Sequence, residues 1–241
     1  MTALPDGARV PPADPADPDL QIAARYAPRI LFDEAEPFLP VVTGYTVFRA
    51  AGPSPSFPRQ VDQALKPAWS LAVEYAIWFD WDIQHLYELE HAWSYVDAGG
   101  RLVWAEASWH GDYASLLLAN GEIARMGDRP LMYAQPGKHA FVPEEVCLRR
   151  VQHFVLTDPS RDAGDGGVLV KDMYAGQICP TPEDHQRAAR YLRSRAFTPI
   201  LQFNRPFILP AAELIPWPVL DRWIPARVAW WLAALQADPN C

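Results

Sequence analysis

The chain has 241 residues, half of them hydrophobic, with 25 prolines, 21 % charged residues and a formal net charge of −8. That is long enough for one large core and too apolar for a disordered protein. An acidic chain without a Lys/Arg run offers nothing to displace the counterions of a nucleic acid, and so many prolines argue against a helical bundle.

Residues 1–19 are mostly Pro, Ala and Asp and read as a flexible or surface-draped tail. They hold no charged segment followed by an apolar core, so no secretory signal is expected and the default location is cytoplasmic. No apolar run is long enough to span a membrane. After Asp19, LQIAARYAPRI predicts a helix of about two turns, ending before Pro28. RILFDEAEPFLP reads as a strand and a turn, and a short strand around 45–49 leads into the Gly/Pro-punctuated AAGPSPSFP.

The strongest β signal follows. WSLAVEYAIWFDW (69–81) is a dense aromatic and aliphatic run, and ELEHAWSYVD (88–97) and RLVWAEASWH (101–110) flank a hairpin signal, AGG. On the first of these paired strands Glu88, Glu90, Ala92 and Ser94 share one face, and Leu89, His91, Trp93 and Tyr95 the other. PLMYAQPGKHAFV (130–142) is a strand broken at Pro136-Gly137, DPSRDAGDGG a surface loop, and GVLVKDMY resumes β character. Thr181-Pro182-Glu183-Asp184 is a capped helix start, predicting a helix near 182–195, and Pro225 opens a final helix near 225–236. The expected fold is β-rich, a single β-sandwich domain over 20–241 with added C-terminal helices. Cys147, Cys179 and Cys241 leave one disulfide open but form no framework.

The chemistry concentrates in WDIQHLYELEHAW (81–93). Glu88 and Glu90 leave the same face of a strand, His85 lies just upstream, and Asp80 and Asp82 stand at the preceding turn. Neighbouring carboxylates repel unless a cation, a proton or solvent relieves them. A hard divalent cation (Ca²⁺, Mg²⁺ or Mn²⁺) suits carboxylates with one imidazole. A solvated strand edge is the bland alternative. His91, on the Leu89–Trp93 face, reads as a hydrogen-bonded core histidine, and His110, beside Asp112, as either a strand-end residue or a pocket wall. No GxSxG, HExxH or Walker sequence is present, so no serine hydrolase, zincin or nucleotide cofactor is supported. The Trp-rich WPVLDRWIPARVAWWLAAL reads as a helix closing over the core.

HLYELE, with spacing H-x-x-[DE]-x-E, resembles the HEGDWE motif of the family related to the yeast vacuolar protein sorting-associated protein 62. YAPRILFDEAEPFLP (26–40) and YAQPGKHAFVP (133–143) resemble that family's opening and its later Gly-Ser-His-Ala segment, in the same order. More distantly, QHLYELEH (84–91) is similar to the GHRHDWEH core of the necrosis- and ethylene-inducing-like proteins, β-sandwiches that bind a divalent cation through Asp, His, Asp and Glu. The resemblance implies metal ligands at His85, Glu88 and Glu90, an upstream acid at Asp82 or Asp80, and a second histidine at His139. Glu88 stands where the motif has Asp, one methylene longer (about 1.3 Å of reach), and Leu89 replaces its tryptophan.

The resulting expectation is a metal-assisted acid/base enzyme, with Glu88 or His139 moving the proton. Its ligand would be a small apolar or polycyclic oxygenated molecule, contacted by Trp78, Trp81, Trp109 and His110. The alternatives are a non-catalytic, cation-dependent binder of a lipid headgroup or glycan, and a scaffold with a vestigial site.

Overall fold

A computed structural model describes residues 4–64 and 66–238. The chain enters through α1 (Pro18–Tyr26), capped by the Asp17 carboxylate accepting from Asp19 N, and continues into β1 (Arg29–Phe32) and β2 (Val42–Phe48). A small ribbon, β3 (Gly52–Pro53) and β4 (Gln60–Val61), precedes the long meander β5 (Leu71–Trp81), β6 (His85–Val96), β7 (Leu102–Trp109) and β8 (Asp112–Ser115). β9 (Arg125–Met126), β10 (Arg129–Ala134) and β11 (Phe141–Val142) follow, then the short helices α2 (Glu145–Arg150) and α3 (Gln152–Thr157). β12 (Gly167–Val168), α4 (Pro182–Arg193), β13 (Arg205–Ile208), β14 (Leu214–Pro216) and α5 (Trp217–Ala237) complete it.

Two sheets and a helical layer result. The larger sheet runs β14-β2-β5-β6-β7-β8, with β12 added in parallel to the start of β6, and the smaller runs β11-β10-β1-β13, with β9 on β10. β5 explains the layering. Its Val73, Tyr75, Ile77 and Phe79 face the small sheet and pack with Ile30, Phe32, Met132 and Phe141. Its Ala76 and Trp78 face the other way, under Leu220, Trp223, Ile224 and Val228 of α5 and Ala188 and Leu192 of α4. A strand buried on both faces reads as one apolar run, which is why 69–81 shows no alternation. Each large side chain so buried contributes about 1.5–3 kcal/mol. Gly44 on β2 lets α5 approach: a Cβ there would stand 2.9 Å from Leu220 Cδ2.

The fold is therefore β-rich, a sandwich with helices over one face, as the sequence suggested, with local differences. β6 starts at His85 rather than Glu88, because Leu86 pairs with Trp81 and both His85 and Leu86 pair with β12. α5 starts at Trp217, with Pro225 inside it rather than opening it; the buried face spanning Leu220 to Val228 holds the helix on both sides of the proline. α2 and α3 were not foreseen. The proline-rich start lies along α5, where Ala8 is buried and its carbonyl accepts from Arg227. Cys147 and Cys179 are free thiols, and Cys241 lies outside the described residues. No helix among the described residues is long and apolar enough to cross a membrane.

Candidate metal and ligand cleft

β7 pairs with β6 only from Ala92 to Val96, and β12 pairs with it only at His85 and Leu86. Between them, residues 87–91 have no strand on that side, and unpaired backbone groups must find other partners. They find side chains. His85 Nδ1 lies 2.9 Å from Tyr87 O, Lys171 Nζ donates to Leu89 O at 3.2 Å, and Glu88 Oε1 accepts from Leu89 N at 2.7 Å. His91 N donates to Ser108 Oγ at 2.7 Å. The interrupted ladder thus fixes the side chains that line a cleft of about 310 Å³, bounded by His85, Glu88, Glu90, Ser108, His110, Lys138 and Lys171.

Two of its lining residues, His85 and Glu88, and the wholly buried Asp82 beside them bring one ligand atom each to within 4.8 Å of one another. His85 Nε2 is 3.7 Å from Asp82 Oδ1 and 3.7 Å from Glu88 Oε2. Tyr87 O only accepts, so the hydrogen of a neutral His85 sits on Nδ1 and the bare lone pair of Nε2 faces two carboxylates. That arrangement calls for a proton or a metal ion between them. Asp82 is wholly buried, and its Oδ2 makes no hydrogen bond although Lys138 Nζ lies 2.9 Å away. Its Oδ1 accepts from Gln84 N at 2.7 Å, and Asp82 N donates to His85 O at 3.0 Å, closing the β5–β6 turn. Two loops grip that turn: Ile83 N donates to Gly137 O, and Gly166 N to Gln84 O. The donor set, two carboxylates and an imidazole, fits a divalent cation.

Two ammonium groups share the carboxylates. Lys138 Nζ is 2.9 Å from Asp82, and Lys171 Nζ is 2.9 Å from Glu88 Oε1. Burial opposes the charge of Glu88, but Lys171 and His85 outweigh it and hold the carboxyl well below the usual carboxylate range. Lys171 is raised: burial works against its charge, and Glu88 overcomes it. Glu90 goes the other way, pushed up to about 8 by burial and then by Glu88; its carboxylate takes the Ser108 hydroxyl. Tyr87, His110 and His139 adopt positive φ (55°, 50° and 61°), so three of the segments that line the cleft carry strained backbone of the kind found at functional sites.

Several expected site residues lie elsewhere. Asp80 points under α5, where Arg227 Nε and Nη2 reach it at 2.9 and 2.5 Å, because it shares the Trp78 face of β5. His139 is fully buried in the sandwich, stacked on Phe79 at 3.9 Å with Nε2 3.4 Å from Glu36 Oε1. The left-handed residues Gly137 (φ 74°) and His139 turn Lys138, not His139, into the cleft. Trp78 stacks on Tyr87 beneath α5, Trp81 packs with Tyr191 and Trp231, and Trp109 joins the cluster around Val142 and Leu148. Of the four residues expected to touch a ligand, only His110 borders the cleft, its Nε2 2.8 Å from Gln135 Oε1. Glu90 lines the cleft but stands outside the Asp82–His85–Glu88 group. His91 is a core histidine, 3.0 Å from Ser56 Oγ and stacked on Trp93. Sequence reasoning passed over Lys138 and Lys171; the visible signal for Lys171 was a lysine inside the apolar run GVLVKDMY.

No family model matches the chain, and no curated relative does. Among solved structures it is similar to NLPPya, a necrosis- and ethylene-inducing-like protein, in complex with mannosamine (18 % identity, 58 % of this chain and 74 % of that one, TM-score 0.37). The complex of NLPPya with glucosamine gives the same identity and coverage, with a TM-score of 0.38. Likeness of this order carries no argument about ligand or activity.

Proposed function

We propose that this chain is a cation-dependent binding protein: Asp82, His85 and Glu88 hold a divalent cation at the cleft, and the cation holds a small, polar, oxygen-bearing ligand. The observation that carries this reading is the position of His85 Nε2, 3.7 Å from each of two carboxylates while its Nδ1 lies 2.9 Å from the Tyr87 carbonyl. The ion would supply a Lewis-acidic contact to a ligand oxygen. The chain's own residues position it: the turn at 82–85 fixes Asp82, and the Tyr87 carbonyl, 2.9 Å from Nδ1, sets the angle of the His85 ring, as hydrogen-bond partners behind metal ligands do. Charged and polar side chains (His85, Glu88, Glu90, Ser108, Lys138 and Lys171) share the cleft wall with Phe57, Leu89 and Leu169, and the expected tryptophans lie elsewhere, which favours a small oxygen-bearing ligand over a polycyclic one.

A second reading, metal-assisted acid/base catalysis, is favoured by the contact between the Glu90 carboxylate and the Ser108 hydroxyl inside the same cleft. The two readings separate on Glu90→Gln: a binder keeps its ligand, whereas an enzyme keeps its ligand and loses turnover.

Metal analysis after dialysis against equimolar Ca²⁺, Mg²⁺ and Mn²⁺ tests the main reading. It predicts one ion per chain in the parent and none in Asp82→Ala/Glu88→Ala. A parent that retains no ion contradicts it.

A further inference from the structure

Lys138 and Lys171 sit where a cation's charge would otherwise be needed. Each ammonium lies 2.9 Å from one carboxylate of the candidate metal group, Lys138 on Asp82 and Lys171 on Glu88, and both side chains line the cleft. Without an ion, the two carboxylates and the two ammonium groups balance. A divalent ion at Asp82, His85 and Glu88 adds two positive charges at the same oxygens. The ammonium groups then lose their claim on the carboxylates and are repelled by the ion. Both sit on long, rotatable stems, and the Lys171 side chain retains 30 % exposure at the cleft wall.

We infer that Lys138 and Lys171 are internal counter-ions that a divalent cation displaces, and that the released ammonium groups, with the cation, bind a small oxyanion (a carboxylate or a phosphate) in the same cleft. This rests on the cation reading above and adds to it the ligand's charge and the order of binding. The cleft is empty of positive surplus until the ion arrives, so cation and oxyanion promote each other's binding. Linkage requires the two effects to be equal in size. A neutral polyol of similar bulk can meet the ion through oxygen but has no charge for the two lysines, and gains nothing from them.

Calorimetric titration of metal-stripped protein tests this, using Mg²⁺ alone, then inorganic phosphate, malonate and erythritol, each with and without saturating Mg²⁺. The expected result is at least tenfold tighter binding of phosphate or malonate in Mg²⁺, an equal tightening of Mg²⁺ by that anion, and no such coupling for erythritol. The anion with the larger coupling identifies the ligand as phosphate-like or carboxylate-like. Lys138→Met should keep or tighten Mg²⁺ binding while the coupling falls several-fold. Lys171→Arg, which keeps the charge, should retain coupling even if Lys171→Met is too unstable to measure. Mg²⁺ binding that neither anion alters overturns this inference and leaves the cation reading standing. Failure to bind Mg²⁺, Ca²⁺ and Mn²⁺ alike overturns both, and coupling that persists unchanged in Lys138→Met/Lys171→Met overturns the role given to the lysines.

Discussion

Lys171 Nζ lies 2.9 Å from Glu88 Oε1 and 3.2 Å from the Leu89 carbonyl, so one ammonium group both neutralises a buried acid and caps a break in the β6 ladder. The same break holds His85 through the Tyr87 carbonyl and Ser108 through His91 N. Stability of the sheet edge and geometry of the cleft are therefore one set of contacts.

Lys171→Met should then destabilise the protein by about 2 kcal/mol, through an unpaired buried carboxylate and a lost carbonyl partner, the residual exposure of Lys171 tempering the larger cost of a fully buried pair. A divalent cation at Glu88 should recover part of the loss. Urea denaturation with and without Mg²⁺ reads both effects; an unchanged midpoint in the variant contradicts the structural half of this account.

Asp80 and Asp82, two residues apart, should respond in opposite ways. Asp80 carries the buried pair with Arg227, so Asp80→Asn should cost about 3 kcal/mol of stability and leave cation affinity unchanged. Asp82→Asn should lower cation affinity at least tenfold. Denaturation and cation titration on the two variants check the assignment, and loss of cation binding in Asp80→Asn would reverse it.

Gly137→Ala should disrupt the loop that presents Lys138. Its φ of 74° suits glycine, and an added Cβ would stand 2.8 Å from Ile83 Cγ2 in the turn that carries Asp82. The expected loss is about 2 kcal/mol from strain and overpacking together. The melting temperature reads it; a neutral substitution would mean the loop is not packed as described.

His91 gives stability a pH dependence. Burial, and after it the charge of Lys171, hold its imidazole down to about 3, against roughly 6.5 in an unfolded chain. Below about pH 6.5 the unfolded state binds a proton that the native state refuses, so this group's contribution is complete above that pH and is lost as pH falls towards 3. The stability difference between parent and His91→Gln should therefore shift in the variant's favour by about 2 kcal/mol from pH 7 to pH 5. A difference that stays flat over that range contradicts the buried neutral imidazole.

The meander β5–β7 was legible because its residues alternate or crowd as strands do, and His85 and Glu88 were legible because the i, i+3 spacing at a strand entrance joins them locally. The rest of the site was not local. Lys171 reaches Glu88 from a segment 83 residues away in sequence, and nothing in GVLVKDMY names its partner. At 137–140 the sequence directed attention to His139, but the left-handed backbone sends His139 into the core beside Phe79 and Lys138 into the cleft. Asp80 and Asp82 looked equivalent until Arg227, on the last helix, took one of them. Likewise Trp78 and Trp81, which looked like pocket walls, serve the interface with α4 and α5, whose packing depends on a helix that starts well before Pro225.

The central claim is that His85 Nε2 and two carboxylates hold a divalent cation. The most direct test is pulsed electron paramagnetic resonance of the protein loaded with one equivalent of Mn²⁺, read for coupling to an imidazole nitrogen. The account predicts a directly bound ¹⁴N in the parent, absent in His85→Phe. A Mn²⁺ spectrum without nitrogen coupling, or coupling that survives the loss of His85, would contradict it.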